Sequence, residues 1–184
     1  MALYHFSVRH VSRGKGQMVV ASAAYISGQR IYDGYYNKIH DYTSKSGVVF
    51  TEILTPEYVP ERMTDRETLW NEVEHVERNN KAQLAYSFDI ALQNELTLEE
   101  NIRLAKEFCQ EQFVVCGMIV DLAVHEGKSD NEEEPDNPHF HVLAPIRPFT
   151  EEGIWGNKQR REYILDEDGN RVKDAKGKDM FNAV

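Results

Sequence analysis

The sequence predicts an α+β fold in which a central antiparallel sheet has helices packed on its faces. Several short segments alternate apolar and polar residues with a period of two, which is typical of strands with one buried face. Longer segments between them carry apolar residues at helical spacing. The resulting order, β–α–β–α–β–α–β–β, favours a sandwich of sheet and helices. A length of 184 residues fits one domain.

The first half of the chain begins with a strand in which Tyr4, Phe6 and Val8 alternate with polar residues. The segment SRGKG that follows has two glycines and two basic residues, which predicts a flexible loop. The predicted elements are a strand at 3–11, a helix at 19–29, a loop at 34–45, a strand at 48–54 and a helix from 64 or 65 to 79.

The second half contains the clearest signals. Alternation is strongest over residues 84–92, and Thr97 with Glu100 three residues later forms a capping-box signature for a helix. The predicted elements are strands at 84–92, 118–125 and 139–146, a helix at 97–115, an acidic loop at 127–138, and a hairpin at 163–174 around an Asp-Gly-Asn turn.

The net charge of −10 argues against a nucleic-acid partner until the chain is divided into segments. Residues 1–50 hold six Lys/Arg and two Asp/Glu, a net of +4. Residues 51–144 hold seven against twenty-one, a net of −14, and residues 145–184 hold eight against eight. The two ends can therefore supply a basic rim, so the overall charge does not exclude DNA binding.

Two cysteines, Cys109 and Cys116, lie close together without the partner set of a zinc ribbon. They favour buried thiols in a reducing compartment. No segment approaches the ~20 apolar residues of a membrane helix, and the N-terminus lacks the apolar core of a signal peptide. The sequence thus indicates a cytoplasmic protein that does not insert into a membrane.

Three histidines form a candidate metal site. His139 and His141 share one strand face because side chains alternate, which leaves Phe140 for the core. By the same rule His125 shares a face with Ala123 in the preceding strand. If the two strands are antiparallel neighbours, the three imidazoles converge, and they can hold a divalent ion with positions open for a phosphate oxygen. A His-x-His pair also occurs on ordinary surface strands, so the third histidine strengthens the prediction.

Tyr25 is the candidate nucleophile among nine tyrosines. It lies in the small-residue run ASAAYISG, where neighbouring alanines leave its phenol accessible. A phenolate that attacks a phosphodiester forms a phosphotyrosine intermediate, which allows the strand to be rejoined later. Ser87 and Asp89 lie on the polar face of the 84–92 strand. Asp89 can orient a histidine or complete the coordination sphere, and a solvent-facing role is the alternative.

Three blocks of sequence resemble the MobA/MobL family of plasmid-mobilisation relaxases, which belong to the HUH single-strand DNA endonucleases. The blocks are YHFSVRHVSRGKGQ with ASAAYISGQRIYD, DYTSKSGVVFTEIL, and VHE with NPHFHVLAPIRP. The resemblance runs from about residue 2 to residue 150, and the last 35 residues match loosely.

The resemblance implies that Tyr25 is the nucleophile and that His125, His139 and His141 bind Mg²⁺ or Mn²⁺. It implies an HUH relaxase-like sandwich that nicks and rejoins one strand at a plasmid origin of transfer, through a covalent 5′-phosphotyrosine, to initiate conjugative mobilisation. The implied partners are single-stranded or hairpin origin DNA, accessory relaxosome proteins and a type IV secretion coupling protein. Residues 1–184 would be one nicking domain, the N-terminal part of a longer bacterial protein.

Two departures from the family pattern affect the site. The family often has REIEIALP where this chain has AYSFDIALQ, so Ser87 stands at the first acidic position and Asp89 at the second. Asp89 is therefore the more plausible helper. The loop between His125 and His139 is also longer and more acidic than is usual in the family.

Phosphate contacts are predicted for seven basic residues, and base stacking for three aromatic ones. The basic residues are Arg9, Arg13, Lys15, Arg147, Lys158, Arg160 and Arg161, and the aromatic ones are Tyr35, Tyr36 and Trp155. An ordinary solvated role is the alternative for each of them.

Other functions would use the same residues. A rolling-circle replication initiator or an HUH transposase shares the chemistry and differs in its DNA target. A non-catalytic metal-containing module would bind DNA and leave no covalent product. A two-histidine phosphoesterase acting on RNA ends needs a second HxT/S motif, and the sequence contains none.

Overall fold

The computed structural model describes residues 4–129, 136–159 and 161–183. Its helices are α1 (Val19–Ser27), α2 (Arg66–Val76) and α3 (Leu98–Cys109), the last of which continues as a π-helical turn over Gln110–Val114. Its strands are β1 (Phe6–Ser12), β2 (Arg30–Asp33), β3 (Lys38–Asp41), β4 (Val48–Leu54), β5 (Gln83–Ala91), β6 (Val120–His125), β7 (His139–Pro145), β8 (Arg161–Tyr163) and β9 (Phe181–Ala183).

A five-stranded sheet in the order β1-β5-β7-β6-β4 forms the centre of the molecule, and all of its strand pairs are antiparallel. One face packs against α1 and α2 through a core that includes Val20, Leu69 and Leu84. The other face packs against α3 through a core that includes Leu122 and Phe140. The predicted α+β sandwich with helices on the faces of an antiparallel sheet is confirmed.

The helix boundaries follow from local side-chain chemistry. The predicted capping box is present, because the Thr97 hydroxyl accepts from the Glu100 N–H while Glu100 accepts from the Thr97 N–H. Asp65 caps α2 by accepting from the Thr68 N–H over 2.8 Å. Helix α1 ends at Gly28, whose φ of 63° is the left-handed conformation that glycine adopts most readily.

Residues 34–45 were predicted as a loop, and that prediction is wrong for β3, which pairs with β2 in a two-stranded hairpin. The Asp33 carboxylate accepts from the N–H groups of Tyr35 and Tyr36, which builds the turn. Asn37 adopts a φ of 51°. This turn depends on a side chain that bonds to the backbone, so apolar alternation gave no signal for it.

Two other local predictions also need correction. The segment SRGKG, predicted as a flexible loop, contains a 3-10 turn over Arg13–Lys15, and Arg13 is buried. In the tail, the predicted turn forms at Asp166–Asn170, and Leu165 forms a bridge with Arg171. Tyr163, however, pairs with Phe181 and not with a residue of the predicted 163–174 hairpin.

The two cysteines differ in environment. Cys109 is buried, and burial raises its pKa to about 12. Cys116 is exposed, so the prediction of two buried thiols is wrong for this residue. Among the described residues, no helix has both the length and the apolar composition needed to cross a bilayer.

A buried ion pair joins α2 to the sheet. Arg66 donates to both carboxylate oxygens of Asp121, over distances of 2.8 to 3.0 Å, and Trp70 Nε1 donates to the same carboxylate over 2.8 Å. Asp121 and Trp70 are fully buried. Burial raises the pKa of the Asp121 carboxyl, and the Arg66 guanidinium opposes that shift.

Replacing Arg66 with methionine is expected to lower the free energy of unfolding by about 3–5 kcal/mol, because it leaves the Asp121 carboxylate buried without its cation. Urea denaturation followed by circular dichroism measures the change. Arg103→Met on α3 is the matched control, since Arg103 and its partner Glu107 are largely exposed. Equal urea midpoints for the two variants would contradict the account.

Candidate active site

The three predicted histidines converge on the face of the sheet that packs against α1. Strands β6 and β7 are antiparallel neighbours, and their register pairs His125 with His139 and Ala123 with His141. The ring centroids lie 4.8 to 5.1 Å apart. One ligand nitrogen from each ring lies within 4.8 Å of the others. Strand alternation and strand adjacency therefore bring together the three side chains that the sequence singled out.

Backbone carbonyls orient two of these rings. His125 Nε2 donates to the carbonyl oxygen of Ile26 in α1 over 2.7 Å, and His139 Nδ1 donates to that of Asn137 over 2.7 Å. A carbonyl oxygen only accepts, so the second nitrogen of each ring carries the lone pair that a metal ion requires. Backbone acceptors of this kind are usual partners of metal-ligating histidines.

The loop between the two strands closes next to His139. The Asn137 N–H donates to the Gly127 carbonyl over 2.8 Å. Gly127 has a φ of 56°, and a β-carbon there would collide with the Asn137 carbonyl oxygen. Glycine is therefore required at this close approach, which sets the point where the chain enters β7.

Burial favours the neutral imidazole at two of the three histidines. Burial lowers the pKa of both His125 and His141 to about 4. The neighbouring imidazoles lower the pKa of His125 and His141 further, whereas the Asp89 carboxylate acts in the opposite direction. Neutral imidazoles are the protonation state that binds a metal ion. The donor set, its spacing and its charge thus fit a divalent cation.

Tyr25 lies on α1, and 51% of it is exposed. Ala23 and Ala24 beside it are fully buried, so the small residues pack inward and the phenol points outward. Tyr25 and His141 line the same cleft, which has a volume of about 430 Å³. The structure therefore brings the predicted nucleophile and one member of the histidine triad to a common space.

Asp89 and Ser87 line this cleft as well. Asp89 pairs in the β5–β7 register with His141, and its Oδ2 lies 3.8 Å from Nε2 of His5. The carboxylate is thus close to the triad, which is where the sequence predicted a helper. His5 was not singled out from the sequence, because it lies in the polar half of an ordinary strand pattern.

Sequence reasoning also missed Lys45. Its Nζ lies 3.8 Å from the centroid of the Tyr25 ring and donates to the Tyr25 carbonyl over 3.0 Å. Tyr42 packs edge-on against the same ring, with centroids 5.3 Å apart. Both residues lie in the segment DYTSKSG, which has no periodic pattern to draw attention to it.

Glu74, which sequence reasoning also missed, anchors helix α1, which carries Tyr25. Its Oε1 accepts from the Val19 N–H at the start of α1 over 3.2 Å, and its Oε2 accepts from Arg13. Glu74 is fully buried, and Glu77 is also buried. Glutamates are normally solvated, so nothing in the sequence marks these two carboxylates as buried.

The basic residues predicted to contact phosphates differ in their exposure and in their partners. Arg13 is buried and bonds to Glu74 and to the Glu77 and Asn79 carbonyls, so it is not available for DNA. Arg147 and Lys158 both pair with Glu77, at 2.7 and 2.9 Å. The other candidates fall into three groups: Arg9 and Lys15 are exposed, the side chain of Arg161 is not described, and Arg160 lies outside the described residues.

Two of the three aromatic residues predicted to stack on bases are accessible. Tyr35 is 45% exposed and Tyr36 is 40% exposed, on the turn of the β2–β3 hairpin. Trp155 packs against Phe149, with ring centroids 4.2 Å apart, and its Nε1 donates to Glu72. This packing leaves less of the Trp155 ring for a base.

The sequence matches one family model and several curated proteins. The model of the MobA/MobL family matches residues 17–183. The "Conjugal transfer protein TraA" of Agrobacterium fabrum (strain C58 / ATCC 33970) is 36% identical over 191 residues, which covers 98% of this chain and 16% of TraA. The "Probable mobilization protein MobA" of Bifidobacterium longum (strain NCC 2705) is 34% identical over 174 residues, which covers 94% of this chain and 30% of that protein.

A solved structure described as "Molecular Basis of Vancomycin Resistance Transfer in Staphylococcus aureus" shares the fold. Its TM-score is 0.77 with 38% sequence identity, and the match covers 86% of this chain and 78% of that chain. The chain thus spans a small part of the curated relatives and most of this solved structure.

The depressed pKa values predict how the stability of the metal-free protein depends on pH. Unfolded histidines titrate near 6.5, whereas His125 and His141 titrate at about 4 in the fold. Between these values the unfolded chain binds more protons. Their contribution to the free energy of unfolding is therefore complete above pH 6.5 and decreases as the pH falls towards 4.

Urea denaturation of wild type and of a His125→Gln, His141→Gln variant at several pH values measures this contribution. The variant is expected to lose less stability between pH 6.5 and pH 4, since glutamine does not titrate. If the free energy of unfolding depended on pH in the same way for both proteins, these histidines would not be the source of that dependence.

Proposed function

Since the chain belongs to the MobA/MobL family, we propose that it nicks and rejoins one DNA strand at a plasmid origin of transfer. The observation that carries the proposal is the cleft that Tyr25 shares with His141 of the histidine triad. The names of the relatives, which refer to conjugal transfer and mobilization, support a transfer origin as the target. The chemistry is that of an HUH endonuclease.

In the proposed reaction the Tyr25 phenol oxygen attacks the scissile phosphorus. A bond forms between that oxygen and phosphorus as the bond to the 3′-oxygen breaks, and the 3′-oxygen leaves with the electron pair. The phenol proton is lost to water in the open cleft, and the departing strand takes a proton to end in a 3′-hydroxyl. The 5′ phosphate stays on Tyr25, and reversal of the step rejoins the strand.

His125, His139 and His141 would hold Mg²⁺ or Mn²⁺. When bound, the ion supplies Lewis-acid polarisation of a phosphate oxygen. The chain's own residues prepare this site: the carbonyls of Ile26 and Asn137 fix two ring orientations, and burial favours the neutral form of His125 and His141. Asp89 and Ser87 face the same cleft, where Asp89 is proposed to orient the ligands.

Residues 1–184 are proposed to be a single nicking domain, the N-terminal part of a longer protein, since the chain spans 16% of the TraA protein it matches. The proposed DNA is single-stranded or a hairpin, with exposed Arg9, Lys15, Tyr35 and Tyr36 available to contact it. Accessory relaxosome proteins and a type IV secretion coupling protein are the proposed further partners. The proposed location is the bacterial cytoplasm.

A covalent adduct tests the nucleophile. The protein is incubated with Mn²⁺ and a pool of single-stranded oligonucleotides whose central segment is randomised, and denaturing electrophoresis then detects DNA bound to protein. Wild type is expected to form an adduct that peptide mass spectrometry locates on Tyr25. Tyr25→Phe is expected to form none, because phenylalanine lacks the attacking oxygen. An adduct that persists in Tyr25→Phe rules out this nucleophile.

Metal binding is tested separately by calorimetric titration with Mn²⁺. The variant His139→Ala, His141→Ala is expected to bind Mn²⁺ at least about 100-fold more weakly, because two of three ligands are lost, and to form no adduct. His75→Ala is the matched control, since His75 lies on α2 outside the triad. Full adduct formation by the double variant would show that the reaction does not require the metal.

The choice of DNA separates the related functions. Oligonucleotides enriched from the pool are compared with the transfer and replication origins of the replicon that encodes the chain. A match to the transfer origin supports mobilisation, and a match to the replication origin supports a rolling-circle initiator. Binding without any covalent product would indicate a non-catalytic module.

A further inference from the structure

Lys45 lies against the candidate nucleophile, although the reaction as proposed assigns it no role. Its ammonium is 3.8 Å from the centroid of the Tyr25 ring, a distance at which the ring quadrupole attracts a cation. It also donates to the Tyr25 carbonyl over 3.0 Å. That carbonyl belongs to the last turn of α1, where the helix dipole favours positive charge. Lys45 therefore contacts both the ring and the backbone of one residue.

The backbone that carries Lys45 is fixed by local hydrogen bonds. The Asp41 carboxylate accepts from the Thr43 N–H over 3.1 Å and from the Thr43 hydroxyl over 2.8 Å. The Lys45 N–H donates to the Tyr42 carbonyl over 2.9 Å. Tyr42 in turn packs edge-on against Tyr25. The ammonium is thus held in place by a turn that itself contacts the ring.

The same turn leads directly to the histidine triad. Two residues after Lys45, the Gly47 carbonyl accepts from the Glu126 N–H over 3.0 Å, and Val48 then pairs with His125 in the β4–β6 register. The turn that carries Lys45 therefore lies beside both Tyr25 and the strand that holds His125.

Lys45 has no carboxylate as an ion-pair partner within the described part of the chain. Among the ion pairs formed by residues 4–129, 136–159 and 161–183, none includes Lys45. Its side chain is partly buried, and burial lowers the pKa of its ammonium. A partly desolvated cation against the ring of the candidate nucleophile favours the development of negative charge beside it.

We propose that Lys45 is a positioning residue whose ammonium fixes the Tyr25 ring and stabilises the negative charge that develops on the phenol oxygen. The inference rests on the proposed function of this site. Lys45 keeps its proton throughout, so the bonds formed and broken remain those between Tyr25 and the phosphodiester.

Lys45→Met tests the proposal, because methionine keeps an unbranched apolar side chain and removes the charge. The probe is an oligonucleotide enriched from the randomised pool with wild type, used at saturating concentration with Mn²⁺. The rate of adduct formation is expected to fall by about tenfold or more. Lys45→Arg, which retains a cation able to stack on the ring, is expected to recover most of the rate.

Lys106→Met is the matched control. Lys106 pairs with Glu52 and lies on α3, on the opposite face of the sheet, so its loss removes the same charge away from the cleft. Calorimetry with Mn²⁺ is expected to show that Lys45→Met binds the ion at least as tightly as wild type, since the ammonium repels a second cation.

The outcomes distinguish this inference from the function on which it depends. Absence of any adduct with wild type would overturn both. An active wild type with equal rates of adduct formation for Lys45→Met and Lys106→Met would overturn the role of Lys45 alone. If circular dichroism shows that Lys45→Met is unfolded, Lys45→Gln replaces it. Failure of Lys45→Arg to recover the rate would overturn the charge-based role.

Discussion

The antiparallel pairing of β6 with β7 is the constraint on which the candidate site depends. Because this register sets His125 opposite His139 and Ala123 opposite His141, the three imidazoles share one face at one end of the sheet. A shift by one residue would turn His139 and His141 towards the α3 core and bring Phe140 to the site. The register is fixed by burial, since Val124, Phe140 and Val142 all pack beneath α3. Hydrophobic packing on one face of the sheet thus determines which side chains lie on the other face.

The second requirement is that α1 lies close to that face. Fully buried Ala23 and Ala24 permit a close approach, and the Ile26 carbonyl of the same helix receives the His125 N–H. Glu74 holds the first turn of α1 through the Val19 N–H, while Lys45 meets its last turn. Tyr25 is therefore placed by contacts at both ends of its helix. The hydrogen bond from His125 to the Ile26 carbonyl couples the position of this helix to that of the triad.

The sequence predicted the parts of the molecule whose signals are periodic or local. The 48–54 and 84–92 strands, the Thr97 cap and the shared face of the histidines all follow from spacing along the chain. The roles of Arg13, Glu74 and Lys45 could not be predicted in this way. Charged residues are normally solvated, and these three acquire their partners from segments 20 or more residues away. Their contacts exist only once the sheet and helices have packed.

The central claim is that His125, His139 and His141 form one metal site beside Tyr25. Anomalous diffraction from crystals soaked in Mn²⁺ tests it most directly, because it locates the ion independently of activity. A single strong peak is expected about 2.0–2.3 Å from one nitrogen of each histidine, at the edge of the cleft that contains Tyr25. A fully soaked crystal with no peak at the triad, or with the peak on other side chains, would contradict it.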